Sequence, residues 1–156
     1  MLGSARVVAF VPSKSPKKAR SFYEDVLGLA FVSEDEFADV FDAKGVMVRV
    51  VDVSSVDGFK PAPFTILGWS VDNVNKTVKG LSKKGVKFER YPGMQQDQLG
   101  IWSSPSGAKV AWFKDPDGNV LSVTEHEQSN GRARTAFGIH EPPMSGTNQV
   151  HIRSNR

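Results

Sequence analysis

One order of elements occurs twice along the chain, and this repetition restricts the available folds more than any single motif does. In the first half RVVAFV suits a strand, and SPKKARSFYEDVLG suits an amphipathic helix with Ser15 at its N-cap, Pro16 at its first position and apolar residues at 19, 22, 23 and 26. Gly28 marks the stop. LAFVSE, FADVFD and VMVRVVDV follow as short β-prone runs, the last two separated by the turn AKG. The segment GFKPAPF, residues 58–64, reads as a connector. The order then returns. TILGWSV suits a strand, and DNVNKTVKGLSKKG suits a helix capped by Asp72 or Asn73, with apolar positions 74, 78 and 81 and a stop at Gly85. VKFERY, GIWSS, KVAWFK and NVLSVTE are strand candidates, with SPSG and DPDG as turns. The helix-ending LGL and KGV lie 57 residues apart, from Gly28 to Gly85, which points to duplication of one unit. The expected fold is α+β, with two βαβββ modules at 6–55 and 64–126. A half of that size offers little core, so the two sheets should associate.

Composition narrows the function classes. The absence of cysteine among the 156 residues excludes disulfides, thiolate zinc sites and a cysteine nucleophile. The three histidines, His126, His140 and His151, fall at or beyond the end of the second module, so Ser/His/Asp catalysis has no imidazole within the core. No GxGxxG or phosphate-loop pattern occurs. Net charge is only +3, and the basic runs KKAR (17–20) and KTVKGLSKKGVK (76–87) sit at helical spacing opposite apolar residues, so they read as solvated helix faces without nucleic-acid contact. No apolar stretch suits a membrane span, and MLGSARVVAF lacks the apolar segment of a secretory signal, so a cytoplasmic location is expected. From residue 127 to 156 the chain turns polar and Gly/Pro-interrupted, which suits a flexible tail in which AFGI is the one apolar string able to dock.

Four strings in this order, FYEDVLGL (22–29), WSVDNV (69–74), KKGVKF (83–88) and WFKDPDGNVLSV (112–123), give residues 6–125 their resemblance to the vicinal oxygen chelate superfamily. That superfamily contains glyoxalase I, extradiol dioxygenases, and fosfomycin and bleomycin resistance proteins. The resemblance implies a cupped mixed sheet with helices outside and a ligand cavity within. It also implies metal-ligand positions on the first and last strand of each module, which here correspond to Val8, Arg49, Ile66 and Ser122. None of these is a His or Glu. Two aliphatic side chains beside a guanidinium cannot hold a divalent ion, and neither can the neighbouring Val7, Ala9, Val50 and Val51, so no metal and no cofactor are expected. Members of the family often dimerise, some by exchanging modules, so a homodimer fits the resemblance.

The acidic string DPDGN, residues 115–119, has the composition of a β connection. An EF-hand would need Gly at its sixth position, where Val120 stands, whereas Pro fixes φ, Gly118 accepts positive φ, and Asp or Asn bonds nearby backbone. Bending the chain is therefore the job assigned to Asp115 and Asp117.

If the ligand-equivalent positions, Arg49 and Ser122 among them, face the cup as the resemblance implies, alternation along the strands turns Phe10, Met47, Val51, Gly68, Ser70, Val120 and Thr124 toward it as well. Phe10, Met47, Arg49, Ser70, Trp102, Trp112, Ser122 and Thr124 are the expected ligand contacts, with Tyr91 as a further wall. Arg49 can clamp an anion, or be spent on a neighbouring carboxylate. Trp69 faces its helix, and Met94, Gln96 and Asp97 edge the mouth. The function expected is metal-independent sequestration of a small aromatic or anionic metabolite or drug, with no catalytic residue. The alternatives are a metal-dependent lyase, isomerase or dioxygenase, and a partner protein whose cup is filled by its own side chains or a second copy.

Overall fold

The chain was studied as a computed structural model, which describes residues 1–127. The tail expected beyond them, with His140 and His151, lies outside the described residues. A short 3-10 turn at Leu2–Ser4 precedes eight strands and two helices: β1 (Val8–Ser13), α1 (Pro16–Ser21), β2 (Ala30–Glu34), β3 (Ala38–Ala43), β4 (Val46–Asp52), β5 (Thr65–Ser70), α2 (Val74–Lys83), β6 (Trp102–Ser103), β7 (Lys109–Lys114) and β8 (Val120–Glu125). They form two four-stranded sheets with the same order, β1-β4-β3-β2 and β5-β8-β7-β6. In each, the first strand runs parallel to the last and the remaining pairs are antiparallel, so the duplication read along the chain is a duplication in space.

The helices form where the apolar spacing predicts, and their ends show why. After Ser21 the chain widens into a π-turn over Phe22–Val26, with the Leu27 amide donating to the Phe22 carbonyl at 2.9 Å. Gly28 at φ +78° then lets the Leu29 amide reach back to the Tyr23 carbonyl at 2.9 Å, closing the helix end. Ser15 stands at the N-cap, but its side chain caps nothing; the hydroxyl of Ser13 accepts the Ser15 amide instead. For α2 the cap is Asn73, whose side chain accepts from the Lys76 amide at 2.8 Å, and Glu125 at the end of β8 accepts from the Val74 amide at 2.8 Å.

Each sheet buries one face under the helices. Val11, Phe41, Val48 and Val50 in the first sheet and Ala111, Phe113, Leu121 and Val123 in the second join Ala19, Tyr23, Val74 and Val78 in one continuous core. Residues of opposite parity lie on the other faces.

Two strand expectations fail. VKFERY forms no strand: Phe88 makes a single bridge to Phe113, and the chain from Glu89 to Ile101 is an irregular loop. GIWSS shortens to the two residues of β6. The loop satisfies its backbone through side chains. Gln96 accepts from the Tyr91 amide and donates to the carbonyls of Glu89 and Gly100, Asp97 accepts the amides of Leu99 and Ile101, and Arg90 donates to the carbonyls of Asp97 and Gln98. A segment braced in this way has no need of a ladder.

The DPDGN turn does more than bend the chain. The Asp115 carboxylate accepts the amides of Asp117 and Asn119 and the side-chain amide of Asn119, which is local turn chemistry. It also accepts the Tyr23 hydroxyl at 2.8 Å, and Tyr23 belongs to the other module. Asp117 accepts the Ser13 hydroxyl at 2.6 Å and the Lys14 amide at 2.8 Å, while Asn119 donates to the Pro12 carbonyl at 2.8 Å. One turn of the second module thus holds the end of β1 and the π-turn of the first.

Candidate ligand-binding faces

Strand register sorts the expected contact residues into rows. On the open face of the second sheet, Gly68, Ser122 and Trp112 lie side by side across β5, β8 and β7. The adjacent row runs Ser70, Thr124, Val110 and Trp102. The Trp102 and Trp112 rings have centroids 6.1 Å apart, and Tyr91 meets Trp112 edge-on at 5.6 Å. The braced loop places Tyr91 there, because Gln96 holds its backbone amide. Five expected contacts of the second module therefore share one surface: Ser70, Trp102, Trp112, Ser122 and Thr124.

These five side chains carry hydrogen-bonding groups, and none of them hydrogen-bonds to another described residue. Among the described residues only Asn119 Oδ1 is both sealed from solvent and without a partner, so the Ser122 hydroxyl, although its residue is 7% exposed, still opens onto the face. A buried hydroxyl normally finds a partner within the protein, and one held on an aromatic-walled surface is available to a ligand.

The first sheet presents a different surface. Phe10 pairs with Arg49, and Val8 with Met47. Phe10 is 63% exposed and Met47 43%, and a recess of about 210 Å³ lies against Val8, Val32, Val40 and Met47 with Arg6 and Asp42 at its rim. Arg49 Nη2 donates to Asp35 Oδ2 at 2.7 Å, so its charge is already compensated at the β2–β3 hairpin. That bond and the amides of Phe37 and Ala38, the Phe37 amide foremost, hold the Asp35 carboxyl below its ordinary range. Among the described residues no hydrogen bond, ion pair or ring contact joins Phe10, Met47 or Arg49 to the five residues of the second sheet.

Residues 5–123 match the family model described as the Glyoxalase/Bleomycin resistance protein/Dioxygenase superfamily. The chain belongs to that superfamily. A curated relative, the uncharacterized protein YraH of Bacillus subtilis (strain 168), is 33% identical over 121 residues, covering 69% of this chain and 87% of its own. Among solved structures, the lactoylglutathione lyase of Agrobacterium tumefaciens superposes with a TM-score of 0.59 at 19% identity, covering 78% of this chain and 93% of that one. TnmS3, an antibiotic binding protein from Streptomyces sp. CB03234, superposes with a TM-score of 0.58 at 21% identity, covering 81% and 98%. At these identities the two structures share the fold alone.

A metal of the kind the superfamily implies does not fit the residues present. Val8 offers no donor, Arg49 offers a guanidinium held by Asp35, and Ser122 offers one neutral hydroxyl. Ile66 is displaced from the counted position. The β5–β8 register slips between Thr65 and Leu67, and Ile66 packs against the core. Among the described residues no three His, Cys, Asp or Glu side chains converge.

Other expected contacts have structural employment. Gln96 and Asp97 are spent on their own loop, and Trp69 packs toward α2, where with Thr77 and Leu81 it lines a separate cavity of about 200 Å³ that Ser70 borders. His126 is exposed at the end of β8, and no described helix is long and apolar enough to cross a membrane. Two features went unread in the sequence: the reach of Asp115 and Asp117 across modules, and the gap that Gly68 leaves beside Ser122. The first depends on contacts about a hundred residues apart in the chain. The second was signalled by a glycine in the middle of a strand-forming run.

Proposed function

We propose that the chain is a small-molecule binding protein that holds an aromatic or anionic metabolite or drug without a metal and without altering it. The observation that carries this reading is the open face of the second sheet, where the hydroxyls of Ser70, Ser122 and Thr124 have no hydrogen-bond partner among the described residues and sit beside the Trp102 and Trp112 rings. Flat aromatic walls with a few oriented polar groups suit a planar ligand. TnmS3, an antibiotic binding protein of the same fold, supports sequestration as a use of such a scaffold, and the donor set described above argues against chemistry that needs a divalent ion. Phe10, Met47 and Arg49 form the opposite wall in this reading, Arg49 lending an anion only the donors that Asp35 leaves free.

Titration with a panel of planar aromatic compounds, followed by tryptophan fluorescence and thermal shift, tests the proposal. At least one compound should quench the signal and raise the melting temperature with occupancy, and Trp112→Ala should weaken its binding about tenfold or more. A panel without binders, or one tightly held transition-metal ion per purified chain together with turnover, would overturn it.

A further inference from the structure

We propose that Gly68 and Ser122 together form the specificity slot of this face, and that it selects an uncharged planar aromatic carrying a carbonyl or hydroxyl oxygen at its edge. The inference rests on the binding function proposed above and names the ligand class for that site.

Glycine in the interior of a strand weakens it, and the usual reason for keeping one is a backbone conformation that other residues avoid. That reason is absent here, because Gly68 is not among the glycines with positive φ. What distinguishes the position is space. A Cβ at residue 68 would stand 2.6 Å from Ser122 Oγ and 3.4 Å from the Ser122 carbonyl oxygen, but 3.9 Å from Ser122 Cβ, an ordinary contact. The missing side chain therefore lets the hydroxyl point across the row toward β5. Trp112 closes the row on the other side, and Trp102 and Tyr91 extend the aromatic wall behind it.

The corresponding row of the first sheet is filled, with Phe10 standing opposite Arg49 where Gly68 stands opposite Ser122. Among the described residues, room and a hydroxyl without a partner thus occur together in this row and not in its counterpart. The charge of the slot follows from its neighbours. Lys114, at the end of β7, is held by Glu89 at 3.3 Å, and the residues beside Ser122 in the two rows are uncharged. Among the described residues Arg49, on the opposite wall, is likewise held by Asp35, so an ionised group would lose hydration without compensation, whereas a ring edge with one oxygen would satisfy the Ser122 hydroxyl.

The test compares 2-naphthol, naphthalene and 2-naphthalenesulfonate by titration calorimetry on the full chain and on Gly68→Ala, Ser122→Ala, the double variant and Trp112→Ala. We expect 2-naphthol to bind best, Ser122→Ala to weaken it about three- to tenfold while leaving naphthalene unchanged, and Gly68→Ala to act alike by turning the hydroxyl away. The double variant should be no weaker than Ser122→Ala, and should recover any thermal stability lost in Gly68→Ala, because the close contact is gone. Multiplying effects of the two single variants, or a 2-naphthol affinity indifferent to Ser122, would overturn the slot. Binding that depends on Trp112 but on neither residue 68 nor 122 would overturn the slot while sustaining the binding function. Absence of binding by all three compounds would overturn the slot, and the wider aromatic panel then decides the binding function separately.

Discussion

Asp115 is a buried carboxyl with four hydrogen bonds, and its energetics decide what the turn at 115–119 contributes. Burial pushes its pKa above the ordinary value and the four donors pull it back, so the carboxylate depends on those donors. Tyr23 feels the converse: burial foremost, then the neighbouring Asp115, raises its pKa, which keeps the phenol protonated as a donor. Tyr23→Phe should cost about 1.5–3 kcal/mol at neutral pH, the range for a hydrogen bond to a charged group. Losing that donor raises the folded-state pKa of Asp115 further. The folded variant then binds its proton more tightly than the unfolded chain, so its deficit grows as pH rises through that titration and shrinks below it. Urea unfolding of both proteins between about pH 4 and pH 7 reads the effect; a deficit independent of pH would assign Tyr23 to packing alone. Sequence reasoning recognised these five residues as a turn because turn chemistry is local. Their partners Ser13, Lys14 and Tyr23 were illegible because nothing local specifies a contact with another module. Arg49 is a similar case: a carboxylate partner was one of two readings, and the hairpin supplied Asp35.

At the scale of elements, legibility followed periodicity. Both helices, with stops at Gly28 and Gly85, and the strands β3, β4, β7 and β8 lie where alternation or helical spacing put them. VKFERY has a strand's composition, yet Gln96, Asp97 and Arg90 bond the loop that follows, and these long-armed contacts leave no pattern in a hydropathy profile. The bulge at Ile66 was equally silent, and it takes Ile66 off the counted face while Gly68 and Ser70 keep theirs. For α2 the two caps belong to different parts of the chain, Asn73 beside the helix and Glu125 on β8. The Val74 amide, and secondarily Lys109, hold the Glu125 carboxyl below its ordinary value. A lowered folded-state pKa means a stabilising contribution that is present above the unfolded value and lost as pH falls through the folded one. Hydrogen exchange at the Val74 amide should therefore be faster in Glu125→Ala than in the parent at neutral pH, and the difference should fade in acid. Equal protection at neutral pH would show that the bond to Glu125 does not guard this amide.

For the whole molecule, duplication was legible because it repeats strings and spacings, whereas the different contents of the two halves emerge only when the sheets are laid side by side. Identical strand orders put Phe10 and Gly68 at matching coordinates, one occupied and the other empty. Such a scaffold can be edited by transposition. Exchanging the occupants, Phe10→Gly with Gly68→Phe, should transfer the vacancy to the opposite half, so that a captured aromatic no longer quenches Trp112. A gene that has doubled thereby gains a spare copy of its own cradle, free to be filled, emptied or retuned while its twin keeps the chain folded.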